Sequence, residues 1–306
     1  MKKILIATEK PFAKEAIDLI KAVFTNAGYA VTFLEKYIQK SQLLEAVVDC
    51  DAIIIRSDIA DKEVIAAAKN LKIIVRAGAG FNNIDLDSCT ANNVVAMNTP
   101  GQNSNAVAEL ALGMMVYSAR GLFDGSTGSE LKNKTLGIHA YGNVGRLVAS
   151  IAKGFGMKVY AYDPFLSHED IEKDGVIAID SAEELYKNCQ YVSLHIPANA
   201  STNKSIGFNL LNSMPKNATL VNTARMEVIN ENELLKIMEQ RTDFKYVSDV
   251  APICAKIFAE KYQGRFYFTP KKMGAQTAEA NINAGVAAAE QIVDFLENGN
   301  IKYKVN

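Results

Sequence analysis

Thr135-Leu136-Gly137-Ile138-His139 is an apolar, strand-like run, Ala140-Tyr141-Gly142-Asn143-Val144-Gly145 follows as a turn of mostly small residues, and Leu147–Ala152 continues with helical spacing. Strand, tight turn and helix in that order suit a dinucleotide. The turn lets backbone approach a pyrophosphate and places its charge at a helix N-terminus, where free N–H groups and the helix dipole favour it. Gly142, Asn143, Val144 and Gly145 are the candidate contacts. Ala140 stands where a first glycine is usual, and small residues at a turn also serve purely steric needs, so the run alone does not decide. Asp163 adds to it. This acid ends the next strand-like run, Lys158–Tyr162, 18 positions beyond Gly145, close to the ~20 expected of a ribose-binding carboxylate. Such a group accepts from ribose hydroxyls and repels a 2′-phosphate, which favours NAD over NADP. Asp163-Pro164 could also merely terminate a strand; strand, turn, helix, strand and acid in one run favour the cofactor.

These residues need a scaffold of parallel strands. Apolar β-rich runs alternate with helix-period stretches along nearly the whole chain, the pattern of parallel sheets covered by helices on both faces. Lys3–Ala7, Ala30–Leu34, Ala52–Arg56 and Ile73–Arg76 read as strands, with helices over Ala13–Ala27 and Lys62–Ala68. A second series comprises Thr135–Ala140, Lys158–Tyr162, Tyr191–His195, Thr219–Asn222 and Tyr246–Val250. Between the two, apolar residues at 107, 110, 111, 114 and 115 form one helical stripe, predicting a buried connecting helix with Met114 and Met115 as core filler. Gly121–Gly128 reads as a loop, and Ala280–Glu297 as a last helix.

At 306 residues, the chain is long enough for two domains. A composition 49% hydrophobic and 22% charged excludes disorder and fibrous repeats. Lys plus Arg total 33 against 34 Asp plus Glu, so no overall positive field exists to hold nucleic acid or an anionic membrane. The first apolar run stops at Thr8-Glu9, too short for a secretory signal, and Leu110–Ala119 is too short to span a bilayer. A cytoplasmic protein is expected. Four scattered cysteines and three scattered histidines argue against a metal site or a disulfide framework.

Several ordered motifs resemble the D-2-hydroxyacid dehydrogenase family across essentially the whole chain. They include Arg76-Ala77-Gly78-Ala79-Gly80 with Asn83-Ile84-Asp85, and Asn98-Thr99-Pro100-Gly101-Gln102-Asn103-Ser104 with Val107-Ala108-Glu109. The dinucleotide run from Lys134 to Arg146 and Tyr162-Asp163-Pro164 come next. His195-Ile196-Pro197, Asn222-Thr223-Ala224-Arg225, Asp249-Val250 and Thr269-Pro270 with Gly274-Ala275-Gln276-Thr277 complete the set. The resemblance implies an α/β protein of two Rossmann-like or flavodoxin-like domains with parallel sheets and an active site in the interdomain cleft. Residues 1–98 plus 281–306 would bind substrate and 99–280 would bind NAD, with a homodimer formed through the NAD-binding domain. The likeness is greatest to members that oxidise 3-phospho-D-glycerate to 3-phosphohydroxypyruvate in serine biosynthesis, in a short form without the serine-sensing domain.

By the same resemblance, Arg225 holds the substrate carboxylate and polarises the C2 oxygen, a task suited to a planar guanidinium. The family's catalytic histidine falls on Lys272, and its partner glutamate falls on Cys254. The two replacements are coherent, because a carboxylate fixes a histidine's tautomer and an ammonium has none to fix. A lysine base needs its pKa lowered from ~10.4, by burial or by a neighbouring cation such as Arg225 or Lys271. Cys254, with no histidine to activate it, is expected to be filler, and Met226 stands where a glycine is usual. Further contacts carried over to the cofactor are Ala79, His195, Pro197, Thr223, Ala224, Asp249, Gly274 and Ala275. Those carried over to a phosphorylated 2-hydroxy acid are Arg56, Ser57, Arg76, Gly78, Ala79, Gly80, Asn103 and Lys271. A glyoxylate or hydroxypyruvate reductase, and an NAD(H)-sensing protein without turnover, are the alternatives.

Overall fold

A computed structural model describes all residues, 1–306, and divides them into two units: Met1–Asn103 with Gln276–Asn306, and Ser104–Ala275. In chain order the first unit opens with β1 (Lys3–Thr8), α1 (Lys14–Asn26), β2 (Ala30–Glu35), α2 (Lys40–Ala46), β3 (Ala52–Ile55), α3 (Lys62–Ala67), β4 (Ile73–Arg76), α4 (Leu86–Ala91) and β5 (Val95–Asn98). The second unit holds α5 (Ser104–Ala119), β6 (Thr135–His139), α6 (Asn143–Gly154), β7 (Lys158–Tyr162), α7 (His168–Glu172), β8 (Ile177–Ala178), α8 (Ala182–Asn188) and β9 (Tyr191–Leu194). It continues through α9 (Phe208–Ser213), β10 (Thr219–Asn222), α10 (Glu231–Gln240), β11 (Lys245–Ser248), α11 (Ala255–Lys261) and β12 (Phe266–Phe268). Helix α12 (Ala278–Asn298) then returns to the first unit.

Both sheets are parallel throughout. The first has the order β2-β1-β3-β4-β5, the flavodoxin-like arrangement. Alternate residues of its strands enter different cores. Ile4 and Ile6 pack with Ile20 and Phe24 of α1 and with Ala288 and Ile292 of α12, while Leu5 and Ala7 pack with Leu43 of α2 and Val64 of α3. The second sheet runs β12-β11-β10-β9-β6-β7-β8, the doubly wound dinucleotide-binding order with one more strand at its edge. Its direction of winding reverses between β6 and β9, the switch point where such sheets bind ligands.

The crossings between units lie five residues from the expected ones, for local reasons. Thr99 remains tied to the first unit through its N–H bond to the Gly78 carbonyl, at 3.0 Å. At the return, the Thr277 hydroxyl caps α12 by accepting from Ala280 N at 3.1 Å, so the cap travels with its helix. Helix α5 also departs from a single stripe: Ala108 and Leu112 are buried while Val107 and Leu110 are only half-buried. It contacts α6 on one side and β10 and β11 on another, which widens the covered face. The loop expected after it contains one 3-10 turn, Gly121–Phe123. No helix is long and apolar enough to cross a membrane.

Because α12 supplies core to strands β1, β3 and β4, formed by residues more than two hundred positions earlier, shortening Ile292, which is 0% exposed, should unfold the first unit readily. Ile292→Ala is expected to cost ~2–5 kcal/mol in urea unfolding.

Candidate active site

The end of β6 builds the dinucleotide turn. Ala140 has φ +77°, a left-handed conformation that costs an alanine about 1 kcal/mol relative to glycine. Its N–H donates to the Tyr162 carbonyl at 2.9 Å. Gly142 is the N-cap of α6, and no side chain caps the helix there. A Cβ placed on Gly142 would meet nothing within 4 Å, so the approach to the free N–H groups is open. Gly145 answers a different need, since its Cβ would lie 2.5 Å from the Ala140 carbonyl oxygen and 3.0 Å from Ile138 Cγ2. Only glycine lets α6 lie so close to β6. Asn143 and Val144 complete the first helical turn. Asp163 accepts from Tyr141 N and Phe165 N, each at 2.9 Å, and its remaining lone pairs leave room for ribose hydroxyls. An uncapped helix N-terminus, an open Gly142 and this acid together fit a dinucleotide.

At the switch point, His195 N donates to the His139 carbonyl at 2.9 Å. His195 Nε2 is buried without a partner, as is Thr223 Oγ1 after β10. His139 Nδ1 lies 3.3 Å from the Tyr186 hydroxyl. Burial lowers both imidazoles, His139 to about 4 against the partial opposing pull of Asp163 and Glu183, and His195 to about 3 with further repulsion from His139. Neither is a proton shuttle near neutrality. Pro197 accepts from the Thr202 hydroxyl at 2.5 Å, folding the segment after β9.

The ends of β10, β11 and β12 bring the two candidate catalytic side chains together. Asn222 clasps the turn after β10: its Oδ1 accepts from Ala224 N at 3.0 Å and its Nδ2 donates to the Arg225 carbonyl at 2.9 Å. That turn presents Arg225 to solvent, with Nη1 donating to the Ala224 carbonyl at 2.9 Å. Asp249, only 2% exposed, folds the segment after β12. One of its oxygens accepts from the Thr269 hydroxyl at 3.0 Å and Met273 N at 2.9 Å, and the other from Gly274 N at 2.8 Å. Lys272, held between these anchors, is exposed, and its Nζ donates to the Ala224 carbonyl at 3.4 Å. Arg225, Lys272, Thr223, Asp249 and Met226 line one open depression of about 160 Å³. Lys271 is exposed outside that lining, and Ala275 follows half-buried.

Cys254 has a neighbour that the sequence did not point to. Glu231, at the start of α10, accepts from Ile253 N and Cys254 N, both at 2.9 Å. Burial, aided by this carboxylate, pushes the Cys254 thiol up to about 12, which leaves it unreactive. Twenty-odd intervening residues hid the pair.

The first unit carries the remaining candidates after β3, β4 and β5. Arg56 is largely a strut: Nη1 donates to the Lys10 and Pro11 carbonyls at 3.0 and 3.2 Å, Nη2 bonds Asn281 Oδ1, and the guanidinium lies 4.8 Å from the centre of the Phe12 ring. Ser57 beside it is exposed. Arg76 Nε donates to the Arg56 carbonyl at 3.1 Å, and its guanidinium crosses Gly78 so closely that a Cβ there would sit 1.5 Å from Nη1. Gly78, at φ +144°, permits both the turn and that crossing. Asn98 Nδ2 secures the Ala79 carbonyl at 2.6 Å, leaving Ala79 exposed and Gly80 half-buried. Asn103 is half-buried just before α5.

The buried imidazoles couple this region to pH. Both are neutral in the folded chain while the unfolded chain takes up protons below about 6.5. Stability should therefore fall as pH drops from about 6.5 toward 4, each histidine adding a slope of up to ~1.4 kcal/mol per pH unit. Urea unfolding across that range should show a shallower slope for His139→Gln than for the unsubstituted chain.

Residues 115–253 match the model of the D-isomer specific 2-hydroxyacid dehydrogenase NAD binding domain. The hydroxypyruvate reductase of Thermotoga maritima is 31% identical over 95% of this chain and 98% of that protein. The D-3-phosphoglycerate dehydrogenase of Methanocaldococcus jannaschii is 31% identical over 100% of this chain, which spans 60% of that longer relative. In three dimensions, the NAD+-bound 3-phosphoglycerate dehydrogenase of Entamoeba histolytica superposes with a TM-score of 0.88 at 47% identity, covering 100% of this chain and 98% of that one. The chain belongs to the D-isomer specific 2-hydroxyacid dehydrogenase family.

Proposed function

We propose that the chain is an NAD-dependent dehydrogenase interconverting 3-phospho-D-glycerate and 3-phosphohydroxypyruvate. The observation that carries this reading is the pairing of Arg225 and Lys272 in one depression, on the sheet edge that also bears the β6–α6 turn. Gly142, Asn143, Val144, Gly145 and Asp163 would hold NAD, with Ala79, His195, Pro197, Thr223, Ala224, Arg225, Asp249, Gly274 and Ala275 as further contacts. Held there, NAD would supply the hydride acceptor for C2 in oxidation, and its reduced form the donor in reduction. Arg225 orients the substrate carboxylate and polarises the C2 oxygen. Lys272 takes the C2 hydroxyl proton in oxidation, and as an ammonium returns a proton to the C2 oxygen in reduction. No histidine is required. By the family resemblance, Arg76 and the N–H groups of Gly78, Ala79 and Gly80 would offer an anion site, and Ser57, Asn103, Lys271 and Arg56 would be further substrate contacts.

Reduction of unphosphorylated hydroxypyruvate or glyoxylate is a second reading. It is favoured by the engagement of Arg56 in structural bonds and by the name of the Thermotoga maritima relative, matched over nearly its full length. The protein would act in the cytoplasm as a homodimer formed through its NAD-binding unit, with neither nucleic acid nor membrane as a partner.

Steady-state NADH consumption with phosphohydroxypyruvate, hydroxypyruvate and glyoxylate side by side decides among these. The highest kcat/KM is expected with phosphohydroxypyruvate; tight NADH binding without turnover on any acid would make the protein a sensor. Lys272→Met should lower kcat by about 10²–10⁴-fold with NADH affinity unchanged, and full activity in that variant would remove the lysine assignment.

Arg56→Ala separates two roles for that residue. An equal loss on all three acids together with a lower unfolding midpoint is expected from its bonds to Lys10, Pro11 and Asn281. A loss confined to phosphohydroxypyruvate would make it the phosphate ligand instead.

A further inference from the structure

The dinucleotide turn holds an alanine in a backbone region that glycine adopts freely, so something outside Ala140 must keep it there. The neighbouring residue supplies the restraint. Tyr141 is fixed at its N–H, its ring and its hydroxyl. The N–H donates to Asp163 Oδ2 at 2.9 Å, and the side chain is 0% exposed beneath the Arg146 guanidinium, 4.7 Å from the ring centre. The hydroxyl donates to Asp174 Oδ2 at 3.1 Å.

Asp174 gathers further partners onto the same point. The oxygen that receives the Tyr141 hydroxyl also pairs with Arg146 Nη1, which in turn donates to the Asp170 carbonyl at 3.2 Å. Lys153, in the last turn of α6, bonds the Asp174 carbonyl. Asp174, two residues beyond α7, thus secures the turn, the first turn of α6 and its last. The Arg146–Asp174 pair is about one-third exposed on each side, where ion pairs contribute little to global stability. Its effect is therefore local, on the conformation of the residue in front of Gly142.

We propose that Asp174 and Arg146, acting through Tyr141, are positioning residues for the dinucleotide: they hold Ala140 in the left-handed conformation that aims the Gly142 and Asn143 N–H groups at a phosphate. Without them Ala140 relaxes toward the right-handed region and turns those donors aside. A glycine at that position would need no such support, so the network substitutes for the glycine that the turn lacks. The inference rests on the proposal that this turn binds NAD.

The test uses the full chain and two readouts, NADH affinity by fluorescence titration and amide hydrogen exchange of residues 139–145 without cofactor. Asp174→Ala is expected to weaken NADH binding by about tenfold, to speed exchange at Tyr141 and Gly142, and to raise KM for NADH while kcat and KM for the keto acid hold. Adding Ala140→Gly to Asp174→Ala should return affinity and exchange close to those of the unsubstituted chain, a rescue that a merely structural role would not produce. Tyr141→Phe, which keeps the ring and the Arg146–Asp174 pair, should reproduce the effects in smaller measure and serves if Asp174→Ala does not fold. Unchanged affinity and exchange in these variants, or a loss that Ala140→Gly fails to restore, overturns the proposal while leaving the functional reading intact. Failure of the unsubstituted chain to bind NADH would overturn both.

Discussion

Parallel pairing in a single register is the constraint on which the site depends. Tyr162 pairs with His139, His139 with Leu194, Leu194 with Asn222, Asn222 with Ser248 and Ser248 with Phe268. The last residues of six strands therefore form one row. The residues that follow them, Asp163, Ala140, His195, Thr223, Asp249 and Thr269, leave the sheet side by side. The same rule places Arg56, Ala77 and Thr99 together in the first unit, after the paired Ile55, Arg76 and Asn98. Chemistry dispersed over more than a hundred positions is collected by hydrogen-bond register rather than by proximity in the chain.

Within that row the side chains that shape the turns differ from those that face outward. Asn222 and Asp249 spend their polar atoms on neighbouring backbone and, for Asp249, on the Thr269 hydroxyl, and in doing so fix the two segments from which Arg225 and Lys272 project. Buried carboxylate and amide groups that are fully bonded make rigid supports. A long, flexible side chain such as Lys272 gains precision from a base of that kind, since only its own rotamers remain to be ordered. Glu231 follows the same logic: its carboxylate fixes the start of the next segment by accepting from Ile253 N and Cys254 N, and its charge helps keep the Cys254 thiol protonated.

The turn after β6 shows a sequence departing from its local rule and being supported from outside. Alanine at a left-handed position is a local conflict. Its resolution lies in residues 141, 146, 163 and 174, which carry no signature as a group because each is ordinary where it stands. Arg56 is a comparable case in the first unit. The family resemblance assigned it to the substrate, yet its bonded side-chain donors serve carbonyls of the β1–α1 turn and a side chain of α12.

The amino-acid sequence by itself determined the α/β class, most strand positions, the glycine-bearing turn and the acid after β7. These are written in short-range periodicity and in spacings within about thirty residues. It also marked Lys272 and Arg225, through ordered motifs matching a family. Tertiary structure decided the rest. It decided that α5 is covered on more than one side, that Asp249 serves as an anchor for the Lys272 segment, that Glu231 meets Cys254, and that Arg56 is chiefly a strut. Each of those outcomes depends on side chains from distant elements meeting where strands end. A pattern along the chain records which face a residue takes, but not which partner waits there.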